Sequence, residues 1–322
     1  MHGSSCPRST RTSLTLVPVS LRNGIKGLAE AFAVLPGPSG LLRRLARRAP
    51  LILAYHNVVP DEAPPAGDRS LHLSRSDFAA QLDILADRCT VVPLADVRAS
   101  EPGSAPLVAI TFDDAYRGAV TTAVAELVRR KLPATIFVAP QYVGDGSFWW
   151  DELTPPGAVA PAVPRTLALG GLQGDDRSIR AWASRQGVPV TPAASHLRVA
   201  TEAELKAAVG KPGITLGSHT WSHPYLPSLS YEEVSRELTQ SWSWLRDRFP
   251  DRLVPWISYP YGGVSEDVEE VAAATGYRAG LGMVGGRVTP RAWNAPHALP
   301  RYNVPAGVSV RGFRARVGGG AE

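Results

Sequence analysis

Leu107-Val108-Ala109-Ile110-Thr111-Phe112-Asp113-Asp114 is the stretch on which the reading of this chain turns. An apolar run rich in β-branched residues, followed by Thr111 and Phe112, reads as a buried strand. Adjacent carboxylates are not tolerated inside such a strand, because a charge taken out of water without a partner is expensive. Asp113 and Asp114 therefore mark its exit. Successive side chains point in opposite directions there, so one carboxylate can bind a cation while its neighbour stays free as a base.

A second apolar run, residues 214–217, leads into Ser218-His219-Thr220-Trp221-Ser222-His223. Two histidines four positions apart converge on one ion if the chain curls between them. With 7 His in 322 residues, chance alone supplies roughly 0.15 such pairs at any one spacing, so the pair gains its weight from its company. Both motifs end strand-like runs, and the active sites of α/β barrels collect at the carboxyl ends of their strands. A third stretch, Tyr259-Pro260-Tyr261-Gly262-Gly263, is an aromatic turn closed by glycines that can present a backbone N–H to an oxyanion. Ligands, base and oxyanion donor together describe a metal-dependent hydrolase.

Outward from these motifs, strand-like runs at 51–55, 90–93, 107–112, 134–139, 214–218, 254–259 and 278–282 alternate with helix-like stretches at 76–87, 116–130, 231–248 and 265–275. That rhythm favours a parallel sheet flanked by helices. It breaks between about 144 and 212, where Pro, Gly, Ala and Arg dominate, which reads as an insertion. The insertion opens with Phe148-Trp149-Trp150-Asp151-Glu152 just beyond a central strand. Trp149 and Trp150 are candidate stacking platforms for a sugar ring, the alternative being an apolar plug that anchors the insertion. At 322 residues the chain accommodates one barrel-sized domain with extensions and no second full domain.

At these residues the chain resembles the polysaccharide deacetylases, the family with a NodB-homology domain also called carbohydrate esterase family 4. The first family motif is similar to Thr111-Phe112-Asp113-Asp114 and the second, His-Ser/Thr-x-x-His, to His219-Thr220-Trp221-Ser222-His223. The third, Arg-x-Pro-Tyr/Phe, is matched only in part by Ser258-Tyr259-Pro260-Tyr261. The resemblance spans about residues 51–305 and includes Tyr55-His56 and the segment 78–94. It implies an α/β fold, a distorted or incomplete (β/α) barrel of the NodB-homology type. The domain plan is then a basic extension over 1–50, the deacetylase-like domain over 51–305 and a flexible tail over 306–322.

By the same resemblance, Asp114, His219 and His223 would bind a divalent metal, commonly zinc, and Asp113 would be the base. The backbone N–H of Tyr261 would stabilise the oxyanion, with Tyr261 also among the substrate-binding residues. Two positions depart from the family pattern. Ser258 stands where an arginine usually pairs with the catalytic aspartate, and Leu299-Pro300-Arg301 stands where Leu-x-His usually carries the general acid. Arginine cannot donate a proton near neutral pH. Arg301, leaving the last strand, either supplies the charge missing at 258 and holds Asp113 or is a solvated arginine; in the first case the leaving-group proton falls to His297, His56 or a metal-bound water. The expected reaction is removal of an N-acetyl, or less readily an O-acetyl, group from a sugar in a glycan or glycoconjugate. A small-amide amidase of the same fold and a lapsed carbohydrate-binding protein are the alternatives.

The net charge of +5 comes partly from an arginine-rich N-terminal arm and tail. No nucleic-acid motif and no basic-aromatic groove accompany it, which speaks against a nucleic-acid partner. Residues 41–48, with Arg43, Arg44, Arg47 and Arg48, suit either peripheral contact with an anionic membrane or a solvated linker. No run reaches the roughly 20 apolar residues of a span, and the order of regions is unlike a secretory signal. A cytoplasmic location, or one peripheral at the inner membrane face, is expected. Cys6 and Cys89 make no disulfide framework.

Overall fold

The computed structural model describes residues 49–98 and 105–318; the basic segment 41–48 and Cys6 lie outside them. In chain order the strands are β1 (Leu51–Tyr55), β2 (Asn57–Val59), β3 (His72–Ser74), β4 (Thr90–Val91), β5 (Leu107–Phe112), β6 (Ala134–Val138), β7 (Ile214–Ser218), β8 (Leu253–Ser258), β9 (Ala279–Leu281) and β10 (Tyr302–Asn303). The helices are α1 (Arg75–Arg88), α2 (Val124–Arg130), α3 (Trp149–Glu152), α4 (Asp176–Arg185), α5 (Glu202–Val209), α6 (Tyr231–Arg248), α7 (Glu266–Thr275) and α8 (Val310–Gly318). A π-helical segment, Ala119–Ala123, leads into α2.

The main sheet runs β10-β1-β5-β6-β7-β8-β9, with β4 added against the amino end of β5. All its pairings are parallel. Parallel neighbours cannot be joined by hairpins, so each return is a crossover, and helices supply most of them. Their starts are legible in the sequence. Ser74 and Ser265 cap α1 and α7, while Thr201 with Glu204 and Ser230 with Glu233 form capping boxes on α5 and α6.

Strand periodicity sorts the core into two sides. Ile52, Ala109, Phe137, Trp256, Ala279, Leu281 and Leu299 cluster inside the curled sheet. Their alternates Leu53, Tyr55, Val108, Ile110, Phe112, Ile136 and Val138 pack outward with Phe78, Leu82 and Leu127 of the helices. Gly217 on β7 serves the inner side, since a Cβ there would collide with the Phe137 ring. The two edges are brought together by the segment after β9. Leu299 bridges to Leu281 of β9, and Tyr302 and Asn303 pair with Leu53 and Ala54 of β1. Arg301 is thereby carried across the seam of an incomplete barrel.

The expected strands appear with shifts of a few residues at their ends, and α6 has the expected bounds. Two expectations are corrected. The segment after 305 is not simply a flexible tail: α8 turns Phe313 and Val317 fully into the core, where they pack beside α1. Burying a phenylalanine is worth about 2–3 kcal/mol, enough to hold a short helix down. The insertion also ends sooner than 212, because its last part is the capped crossover helix α5 leading into β7. No helix among the described residues is long and apolar enough to cross a membrane.

Candidate active site

Asp113 continues the inward alternation of Ala109 and Thr111, and its N–H still donates to Tyr55 O in the ladder. The carboxylate is almost wholly buried and is gripped by Arg301, whose Nη1 and Nη2 donate to Oδ1 and Oδ2 at 2.8 Å each. Arg301 is itself inaccessible to solvent. Its other donors reach Ser258 Oγ at 2.8 Å, Gly282 O at 3.3 Å and Thr111 Oγ1 at 3.4 Å. A buried guanidinium is tolerable when its fork is met in this way. Burial, the largest single influence on Asp113, pushes its pKa up. The Arg301 charge, the nearby His219 and the Arg301 hydrogen bonds together outweigh burial and hold it at about 2.

The chain leaves the strand direction at Asp114 and Ala115, which have φ of 69° and 50°. Left-handed backbone is costly for residues with a Cβ and is kept only where the surroundings impose it. Here it swings Asp114 toward the second motif. Asp114 Oδ1 lies 3.4 Å from His219 Nε2 and 3.3 Å from His223 Nε2, with ligand atoms of all three residues within 4.8 Å. Atoms bound at about 2.0–2.1 Å to one tetrahedral ion stand roughly 3.3–3.4 Å apart, so the measured separations suit a shared metal. Asp114 Oδ1 is buried and has no hydrogen-bond partner. An orphaned buried carboxylate oxygen facing two imidazole nitrogens is a donor set that could hold a divalent cation.

His219 follows β7, donates its N–H to Val138 O, and its Nδ1 lies 2.7 Å from Ser258 O. With Nδ1–H given to that carbonyl, Nε2 keeps its lone pair for a metal. Burial disfavours a charge on His219, but Asp113 and Asp114 prevail and its pKa is raised. In His223 burial wins and the pKa is lowered. The loop between them depends on Glu237 of α6, which accepts hydrogen bonds from Trp221 N, Ser222 N and Ser222 Oγ at 3.0, 2.8 and 2.6 Å. His223, at φ 60°, has no partner at Nδ1. Its ring is held instead by Phe148, Trp150 and Tyr261, with centroids 5.4, 5.1 and 4.7 Å away.

Tyr261 also has left-handed backbone, φ 58° and ψ 3°, and no acceptor among the described residues takes its N–H. That leaves the N–H available as an oxyanion donor. The phenol accepts from Trp149 Nε1 at 3.3 Å, and the exposed Arg165 stands over the ring at 5.5 Å.

Four further positions diverge in their fates. His56, just past β1 and partly exposed, sits within the charges of Asp114, Asp113, Arg301 and His219; burial, the largest influence, lowers its pKa. His297 is not brought to the site: its Nε2 meets Tyr277 O at 2.9 Å, before the amino end of β9, opposite to the strand exits that carry the motifs. Trp149 and Trp150 are correctly placed near the site but are only 4% and 6% exposed. Neither offers the open face that a stacked sugar ring requires, so the plug reading replaces the platform for both. Glu237 and Phe148 were not singled out by sequence as functional. A glutamate on the outer turn of an amphipathic helix, and a phenylalanine beside two tryptophans, carry no signal of the loops they will meet.

Comparison with known proteins agrees with this geometry. A family model described as polysaccharide deacetylase matches residues 100–280, more than half of the chain. Chitin deacetylase 2 of Saccharomyces cerevisiae is 36% identical over 72 residues, 22% of this chain and 22% of that protein. Chitin deacetylase 1 of the same yeast is 34% identical over 65 residues, 20% and 21% of the two chains. The matched stretch thus spans only about a fifth of these relatives' length. Among solved structures, IcaB from Ammonifex degensii aligns with a TM-score of 0.59 at 18% identity, covering 84% of this chain and 97% of that one. The deacetylase PplD of Streptococcus pyogenes, in complex with acetate, aligns at 0.54 and 18% identity, covering 82% and 96%. At such identities the likeness concerns the fold.

Proposed function

The chain belongs to the polysaccharide deacetylase family, and from that premise we propose that it is a metal-dependent hydrolase removing an N-acetyl group from a sugar in a glycan or glycoconjugate. The observation that carries the metal reading is the convergence of Asp114, His219 and His223 around an orphaned carboxylate oxygen, next to an aspartate held ionised by Arg301. A divalent ion held by these three residues, zinc by family expectation, would make a water acidic near neutral pH and polarise the acetyl carbonyl.

Asp113 would take the proton from the attacking water as the water's oxygen bonds to the acetyl carbon. A carboxylate with pKa about 2 is fully ionised at neutral pH, and the Arg301 fork fixes its oxygens so that no reorganisation is needed. Tyr261 N–H donates to the oxygen that gains charge as the carbonyl becomes tetrahedral. The proton that Asp113 takes up must reach the leaving amine as the C–N bond breaks; His56, partly exposed, within the charge of Asp113 and neutral because burial lowers its pKa, would relay it, so that acetate and the free amine leave. Arg301 is thus a support for the base and not an acid, which answers the two motif departures with one residue. It also weakens the reading of a lapsed binding protein, which has no need of a locked free base. The buried tryptophans no longer argue for a sugar over a small amide, so the sugar rests on the family. Contact of residues 41–48 with an anionic membrane belongs to the same proposal and is read by vesicle sedimentation.

The test is acetate release from a panel of N- and O-acetylated glycans and small amides after chelation and metal reconstitution. Asp113→Asn should retain metal and lose turnover, whereas His219→Ala should lose metal affinity. His56→Ala should lose N-acetyl hydrolysis yet still cleave 4-nitrophenyl acetate, whose leaving group needs no proton. Undiminished acetate release by Asp113→Asn removes the assignment of the base.

A further inference from the structure

Asp151 is a carboxylate from the insertion, buried to 2% exposure, that touches none of the candidate metal ligands. Three donors converge on it. His72 Nε2 and Asp68 N reach Oδ1 at 2.8 and 3.0 Å, and the Tyr116 hydroxyl reaches Oδ2 at 2.6 Å. His72 Nδ1 faces Asn57 Nδ2 at 3.2 Å, which as a donor leaves the imidazole proton on Nε2, directed at Asp151. Gly67, with φ +66°, packs so closely that a Cβ there would overlap Asp151 Oδ1. So full a set of partners fixes the carboxylate in place.

What Asp151 holds lies on both sides of the metal site. Tyr116 is two residues beyond Asp114, at the end of the left-handed turn that aims Asp114 inward. The main chain braces the same turn, through Ala200 N to Ala115 O, Arg117 N to Arg198 O and a bridge between Tyr116 and Val199. The Tyr116 oxygen also accepts the Trp150 indole N–H at 2.7 Å. Trp150 stacks on Phe148, and both rings lie against His223, the ligand whose Nδ1 has no partner. A metal-binding histidine is ordinarily oriented by a hydrogen bond from its second nitrogen. His223 lacks one, so the aromatic wall must set its ring plane.

We propose that Asp151 is a positioning residue for the metal site: through Tyr116 it holds the Asp114 turn, and through Tyr116 and Trp150 it fixes the His223 ring, making the insertion part of the metal-binding apparatus. The inference rests on Asp114, His219 and His223 binding a metal. Supporting partners beyond the ligands commonly contribute 10- to 100-fold in metal affinity.

The experiment measures zinc affinity of the full chain by chelator competition, and the visible spectrum of the cobalt-substituted protein, for the unaltered chain, Asp151→Asn, Tyr116→Phe and Trp150→Phe. Phe313→Ala, far from the site, is the control for lost stability. Asp151→Asn and Tyr116→Phe should weaken zinc binding by roughly 10- to 100-fold and alter the cobalt bands, while Phe313→Ala lowers Tm and leaves both unchanged. Trp150→Phe added to Tyr116→Phe should cost little more than Tyr116→Phe alone, because the same link is already broken. Should Asp151→Asn fail to fold, Tyr116→Phe and Trp150→Phe decide the matter. Failure of the unaltered chain to bind zinc overturns the metal reading and this inference with it. Normal zinc affinity and cobalt spectra in the folded variants overturn the positioning role alone.

Discussion

Replacing Arg301 with glutamine should destabilise the protein strongly at neutral pH and much less in acid. In the native chain Asp113 is nearly inaccessible and Arg301 holds its pKa at about 2, below the value of about 3.9 for an unfolded aspartate. A depressed pKa means that ionised Asp113 favours the folded state: the contribution is complete above about pH 4 and is lost as pH falls through about 2. Nearly two pKa units correspond to about 2–3 kcal/mol. Without the guanidinium, burial is left as the largest influence and drives the pKa above the unfolded value, so the sign reverses. The variant then carries a penalty at neutral pH that is relieved as pH falls through the raised pKa. Removing one partner of a buried ion pair costs about 3–5 kcal/mol, and that is the loss expected at pH 7.5. Urea unfolding at pH 7.5, 5.5 and 4 measures it, with the gap to the unaltered chain narrowing toward pH 4. Asp113→Asn combined with Arg301→Gln removes both charges and should recover most of the loss, giving a favourable coupling in a double-mutant cycle. A gap independent of pH, or a double variant as weak as the two single losses added, would refute the account.

Zinc at 100 times its dissociation constant should stabilise the protein by about 2.7 kcal/mol, read as a rise in Tm that is absent in His219→Ala. Glu237→Gln keeps one acceptor but turns an amide toward backbone donors; a loss of about 1–3 kcal/mol and weaker zinc binding are expected, and unchanged zinc affinity would separate the loop from the site. Phe313→Ala should cost about 3–5 kcal/mol in urea unfolding, since the ring is fully buried; a change below 1 kcal/mol would restore the flexible tail.

Much of the fold was legible because its signals are local. Runs of β-branched residues ending in Asp113-Asp114 and His219 placed strand exits, and the helix-like stretch 231–248 coincides with α6. The thin signals failed where partners are distant. Phe313 looked like part of a tail because nothing nearby in sequence tells that α1 waits to cover it. Trp149 and Trp150 suggested a platform because aromatic composition is the same for a surface that stacks a sugar and for a plug that excludes water.

The sequence by itself determined the chemistry on offer: two adjacent carboxylates at a strand exit, two histidines able to share an ion, and a missing arginine at Ser258. Which carboxylate faces the imidazoles was decided by the left-handed turn at Asp114 and Ala115, which the insertion braces through the bridge between Tyr116 and Val199. That Arg301 replaces the missing charge, and that His56 and not His297 lies by the site, depended on the seam between β9 and β1. Residues 188 positions apart meet there because a curled parallel sheet brings its edges together, and a buried charge is stable only if the chain delivers its partner to the same spot.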